Sequence, residues 1–285
     1  MSKQSSIAIL TDSGTDVPVE FARTHNIFTL PLSIQFSDEL YLDGVTITPE
    51  EVYRRLPHEI PKTSLPSSEG ILHTLQQIRE SGYDTLFIIT ISSALSGTFN
   101  LMRLTARDVP ELDCRLIDTR NIGIGAGFTV MRAAEMIADG ASADEIEAKL
   151  QELVKSTKVF FCLPTLEYLA KGGRIGRVTA TVGSLLDVRP IISCNEDGIY
   201  YPVQKARGAV RALSATLQNA KDYAANHVFH LAIAHGGVPE LAAHVEAQLA
   251  GLISSAKSYV RTQVSPALGV HTGPGLIGVG VQRLV

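Results

Sequence analysis

Tyr83-Asp84-Thr85-Leu86-Phe87-Ile88-Ile89-Thr90-Ile91-Ser92-Ser93-Ala94-Leu95-Ser96-Gly97-Thr98-Phe99-Asn100 is the stretch on which the reading of the fold turns. Its first half, rich in Ile and Phe, predicts a buried strand. The hydroxyl-rich turn interrupts it just where a helix with apolar Phe99, Leu101, Met102 and Leu104 begins. A helix start carries unpaired N–H groups and the positive end of the helix dipole, and so suits a carboxylate or phosphate. Ser96 and Thr98 add hydroxyl donors there, although either could equally serve as a plain helix cap.

Working outward, 285 residues at 45% hydrophobic content can bury more than one ordinary core, and two domains are expected. The net charge of −4, from 25 basic and 29 acidic residues, argues against a general nucleic-acid binder and against a polybasic membrane anchor. Cys114, Cys162 and Cys194 lie far apart in strand-like runs. They read as buried thiols, not as a disulfide framework or a zinc site. The start, Met1 to Ser6, lacks a signal peptide's apolar segment, and no apolar run reaches the roughly 18 residues of a membrane span. A cytoplasmic protein is expected.

Ile7 to Leu10 predicts a short strand, followed by Thr11-Asp12-Ser13-Gly14-Thr15-Asp16. At the carboxyl edge of a parallel sheet, Asp12, Ser13 and Asp16 are candidate site residues. Asp16 could instead cap the helix entered through Pro18, and Asp12 suits orienting a neighbour better than touching an anion. Phe28 to Phe36 suggests an irregular or edge hairpin, and Thr48-Pro49-Glu50-Glu51 a helix start with a capping box. Pro61 to Ser68 reads as a loop that presents Thr63 and Ser64, ahead of a helix over 69–81. Gly123, Gly125 and Gly127 lack the spacing of a nucleotide loop and fit close helix packing better.

Strands and helices alternate up to a capping box at Ser142, which predicts a parallel sheet. Beyond it the pattern changes. Asn195 to Gly198 signals a hairpin between 188–194 and 199–204, and later strands at 228–234, 258–263 and 276–284 complete a mixed sheet. The expected fold is therefore an N-terminal parallel-sheet α/β domain, 1–157, followed by a mixed-sheet α+β domain, 158–285.

Basic residues gather in one interval, with Lys171, Arg174, Arg177 and Arg189 followed by Lys205, Arg207 and Arg211. Such a patch could meet a phosphate or an acidic partner, or be a solvated face. His271 precedes a Gly-Pro turn, where loose packing could expose its imidazole. Ser96, His271 and Asp12 could in principle form a serine esterase or thioesterase triad, but Ser96 is not in a Gly-x-Ser-x-Gly elbow. Thr63 and Ser96 could equally hold a carboxylate that is never attacked.

Seven motifs in order resemble the DegV family of bacterial fatty-acid-binding proteins. They are Asp12-Ser13-Gly14-Thr15-Asp16, Thr63-Ser64-Leu65-Pro66-Ser67, Ile91 to Thr98, Ile117-Asp118-Thr119, Thr165 to Ile175, Lys205-Ala206-Arg207 and His271-Thr272-Gly273-Pro274-Gly275. The resemblance implies a non-enzymatic carrier that buries one long-chain fatty acid in an apolar tunnel, with its carboxylate at a domain interface. It further implies presentation to a separate ATP-binding fatty acid kinase subunit that makes the acyl phosphate. Thr63, Ser96, His271 and Arg207 match the carboxylate-binding positions, with Ser93 the alternative serine. Ser64, Ser93, Gly97, Thr98, Asp12 and Ser13 support the site, and Lys171, Arg174 and Arg177 form a docking patch. No metal and no cofactor other than the lipid is implied, and peripheral contact with membrane lipid is compatible with the role. Lys205-Ala206-Arg207-Gly208 departs from the family's Lys-Val-Arg-Thr, which bears on Arg207 most.

Overall fold

Residues 6–181 and 187–284 are described by a computed structural model, with the backbone alone for 179–181. Of the polar start read above, Met1 to Ser5 lie outside the described residues. The first half runs β1 (Ile7–Asp12), α1 (Val19–Thr24), β2 (Phe28–Leu30), β3 (Ser33–Gln35), β4 (Leu40–Leu42), α2 (Pro49–Arg55), β5 (Lys62–Ser64) and α3 (Ser68–Glu80). It continues with β6 (Thr85–Thr90), α4 (Thr98–Thr105), β7 (Asp113–Asp118), α5 (Ile124–Ala138) and α6 (Ala143–Lys155). The second half comprises β8 (Thr157–Cys162), α7 (Glu167–Lys171), β9 (Val188–Cys194), β10 (Tyr200–Arg207), α8 (Ala209–Ala224) and β11 (Phe229–His235). It closes with α9 (Pro239–Gln248), α10 (Ala250–Ser255), β12 (Ser258–Gln263), α11 (Pro266–Thr272) and β13 (Ile277–Arg283).

Every residue of β6 is buried, as its unbroken apolar run requires of a strand covered on both faces. It lies inside a parallel sheet of order β2-β1-β6-β7, with Ile9 opposite Phe87 and Ile89 opposite Ile117. The second sheet is mixed, in the order β10-β9-β8-β13-β11-β12, with β11 and β12 its parallel pair. The fold is thus α/β, a parallel sheet followed by a mixed one. A cluster of buried side chains that includes Ile34, Phe128, Phe161, Tyr200, Val264 and Leu276 fills the space between the elements of the two halves. At roughly 1.5–3 kcal/mol per fully buried large apolar side chain, this shared core is a principal tie between them.

Local chemistry explains the termini. Ser142 forms a full capping box with Glu145, whereas Thr48 accepts from the Glu51 N–H without the reciprocal bond of the expected box. The glycine run at the start of α5 serves close packing. A Cβ on Gly125 would lie 2.4 Å from Val159, and one on Gly127 2.5 Å from the Thr15 carbonyl oxygen.

Three expectations are corrected. The segment read as a loop contains β5, which pairs with β3 so that Thr63 lies opposite Ile34. Asp16 does not cap α1, which has no side-chain cap, and instead accepts from the backbone N–H of Ser265, 3.1 Å away. His271 does not sit in loose packing, because it belongs to the last turn of α11.

Candidate functional site

Between the mixed sheet and a cover made of β5, α11 and the segments that follow β1, β6 and β7 lies a cavity of about 340 Å³, within the usual range for small-molecule sites. Its walls are apolar, drawn from Ile122, Ile124, Phe161, Ala234, Val264 and Leu276 among others, with Gly278 and Gly280 of β13 on one side. Thr63, Ser64, Ser96, Arg174 and His271 form a polar part of the lining, and Asp16, whose carboxyl burial pushes well above its ordinary range, and Thr272 are further polar members.

Each polar group is placed by a different element. β5 carries Thr63, and α11 brings His271 so that Nε2 is 2.7 Å from Thr63 Oγ1. Burial, reinforced by the Arg174 cation, pushes the His271 pKa down to about 4, so the ring is neutral at pH 7. If the Nε2–H tautomer donates to Thr63, the Thr63 hydroxyl proton is left for another acceptor. The ring sits hard against α7's terminus, since a Cβ on Gly172 would lie 2.2 Å from Nδ1. Arg174 follows one turn on. Its Nη1 donates to the Gly172 carbonyl oxygen at 2.7 Å and its Nε to that of Leu95 at 3.4 Å, which sets the guanidinium beside Ser96.

The turn after β6 sorts its serines by partner. Ser92 donates to the Gly198 carbonyl oxygen at 2.9 Å, and Ser93 donates through both N–H and hydroxyl to Asp118. Ser96 instead lines the cavity, with its Oγ 2.8 Å from Thr98 Oγ1. Gly97 is the N-cap of α4 and Thr98 is fully buried. Asp12 accepts from the N–H groups of Gly14 and Ile91, which braces the turn from behind, and burial pushes its pKa up to about 7. Ser13 accepts from the Leu32 N–H and donates to Asp43, away from the cavity.

Two arginines stand differently toward the cavity than expected, and one helix was not foreseen. Arg207 is exposed at the end of β10 and is not among the lining residues, so it is not placed to hold a ligand in this cavity. Arg174, assigned to a docking patch, is the arginine that lines it. Lys171 and Arg177 are exposed beside it, paired with Glu167 at 2.6 Å and Asp197 at 3.6 Å. The serine triad is not assembled either. His271 is bonded to Thr63, Ser96 to Thr98, and Asp12 to backbone N–H groups. Ser265-Pro266, a cap residue with Pro at the first helical position, was the signal that could have found α11.

Among the described residues, no group of three or more His, Cys, Asp or Glu could hold a metal ion, and no helix is long and apolar enough to cross a membrane. The three cysteines are free, and burial pushes the Cys194 thiol up to about 12.

The family model described as "Uncharacterised protein, DegV family" matches residues 6–284. A DegV domain-containing protein of Clostridium acetobutylicum is 38% identical over 273 residues, spanning 96% of this chain and 97% of its own. Among solved structures, a fatty-acid-binding DegV family protein from Thermus thermophilus superposes with a TM-score of 0.92 at 27% identity, covering 98% of this chain and 100% of its own. A stearic-acid-binding protein from Eubacterium ventriosum does so at 0.86 and 30% identity, covering 97% and 98%.

Proposed function

This chain belongs to the DegV family, and on that premise we propose that it binds a single long-chain fatty acid, its hydrocarbon in the cavity and its carboxylate at Thr63, Ser96, His271 and Arg174. The observation that carries the reading is the lining itself. Apolar walls give way to the hydroxyls of Thr63, Ser64 and Ser96 and the Arg174 guanidinium, with a neutral imidazole bonded to Thr63, a donor set suited to one carboxylate. The chain would supply most of the affinity, at roughly 0.8 kcal/mol per buried methylene. In this reading the protein is a cytoplasmic carrier with no cofactor besides the lipid. Its halves, 1–157 and 158–285, act as two domains with the head group between them.

The same reading has the carrier present its ligand to a separate ATP-dependent kinase subunit for acyl-phosphate formation. The exposed cations Lys171 and Arg177, flanking the Arg174 that lines the cavity, support a docking role for this rim. Reversing both to Glu should lower phosphorylation by such a subunit and leave lipid affinity unchanged. Equal rates across a salt series would remove the docking role.

Native mass spectrometry of the protein purified from bacteria tests the lipid reading, with a bound fatty acid expected. Thr63→Val and Ser96→Ala should each weaken binding by about tenfold to a hundredfold, the worth of one hydrogen bond to a charged group. A protein that stays empty when offered fatty acids of several lengths, or variants that bind like the parent, would overturn it.

A further inference from the structure

A second cavity, of about 250 Å³, lies where α6 passes into β8, walled on its far side by the turn between β9 and β10. It is unlike the first in composition. Arg120, Lys155 and Lys158 line it, with Glu196 as the one carboxylate of the lining. Lys158 Nζ donates to the Cys194 carbonyl oxygen at 3.1 Å and Arg120 Nη1 to that of Glu196 at 3.2 Å. Both cations therefore reach the same turn and hold further donors unspent.

Among the described residues none of these three cations is in an ion pair, as holds also for other surface cations such as Arg79, Lys205 and Lys257, but here three of them line one concave space. Arg120 and Lys155 are exposed and Lys158 is half-buried, so solvent screens part of their mutual repulsion, and an anion held between them would relieve the rest. Three positive groups against one carboxylate leave a surplus of two. A phosphate monoester carries nearly that charge at pH 7 and offers three strong acceptor oxygens. The space exceeds several times over the roughly 30 Å³ share of one water, so an organic remainder fits behind the phosphate.

We propose that this cavity binds a small phosphate-bearing anion, held by Arg120, Lys155 and Lys158. The site is separate from the lipid cavity and stands or falls independently of the lipid reading. The same turn receives the Ser92 hydroxyl at the Gly198 carbonyl oxygen, so the anion would brace the hairpin that buttresses the serine turn.

Isothermal titration calorimetry of the full-length protein with inorganic phosphate, and separately with glycerol 3-phosphate, tests this. One saturable site is expected, weakened at least tenfold in Lys158→Gln and again in the Lys155→Gln, Lys158→Gln double variant. Lys257→Gln, an exposed cation elsewhere, should bind like the parent. Tighter binding of the ester would assign the organic remainder to the cavity, and equal binding would assign the phosphate alone. Circular dichroism melts of each variant guard against misfolding, and should the double variant melt early, Lys155→Gln alone carries the comparison. No saturable binding of either probe to the parent, or equal binding by parent and folded lysine variants, would overturn the proposal.

Discussion

The backbone N–H of Ala267 donates to the Asp43 carboxylate at 2.8 Å, joining positions 224 residues apart. With the Asp16 bond to the Ser265 N–H, it fixes the first turn of α11 from the N-terminal half, while the last turn carries His271 to Thr63. Asp43→Ala would leave the buried Ala267 N–H and the Ser13 hydroxyl without their acceptor. At about 1–3 kcal/mol per buried group left unpaired, a loss on the order of 2–4 kcal/mol is expected by urea denaturation. Fatty-acid affinity should fall with it, because the helix end that seats His271 loses its anchor.

Adjacent glycines should respond for different reasons. Gly172 has an ordinary helical φ of −78°, so Gly172→Ala strains no backbone but drives a methyl into the His271 ring. The imidazole must turn away from Thr63, and fatty-acid affinity should drop about tenfold with little change in fold. Gly173 sits at φ +71° with nothing near its missing Cβ, so Gly173→Ala should cost about 1 kcal/mol of stability and leave affinity intact. Tryptic stability and lipid binding measured on both variants separate the two effects.

The arginines offer a direct comparison. Arg174→Met keeps an apolar stem against the cavity but removes the cation, and should weaken binding of a fatty acid at least tenfold while sparing its methyl ester. Arg207→Met, at an exposed position outside the lining, should bind like the parent. Equal losses in the two would return Arg207 to the head group.

His271 sets a pH signature. The unfolded chain takes up its proton near 6.5 and the folded chain near 4, so between those values the unfolded state binds more protons. Stability from this group is whole above pH 6.5 and is lost as pH falls toward 4, by an amount on the order of 3 kcal/mol at the lower end. Asp12, Asp16 and Asp43, all pushed up by burial, act in the opposite sense over an overlapping window. The readable quantity is therefore the difference between parent and His271→Asn, which should shrink from pH 7 to pH 4 in unfolding experiments. Imidazole resonances of His271 should keep their neutral shifts until about pH 4.

What the sequence disclosed follows the strength of its periodic signal. The strand at 85–90 and the helix after it were legible because six consecutive buried residues leave few other readings. β5 was not, since three polar residues between prolines carry no alternation, and their place is set by pairing with β3. α11 is nearly all buried and has no polar face, so no amphipathic pattern marks it, and distant aspartates hold it. Arg174 and Arg207 share one basic interval and one side-chain chemistry. Only the path of the chain after α7 turns one toward the cavity and leaves the other in solvent.

Gly278 and Gly280 occupy alternate positions on β13, opposite Phe161 and Val159 in the middle of the six-stranded sheet. A strand there would ordinarily project bulky side chains into the interior, and here two are missing where the cavity runs. The space they leave is partly taken by neighbours, since a Cβ on Gly280 would lie 3.0 Å from the Phe128 ring and one on Gly278 3.3 Å from Phe161, while the cavity beside them stays open. Whatever fills it completes the core as a detachable piece of it. A ligand that binds the folded chain and not the unfolded one stabilises the fold by mass action. Occupancy and folding are then linked equilibria. On the proposed reading, the melting temperature should rise as fatty acid is added and fall again when it is stripped.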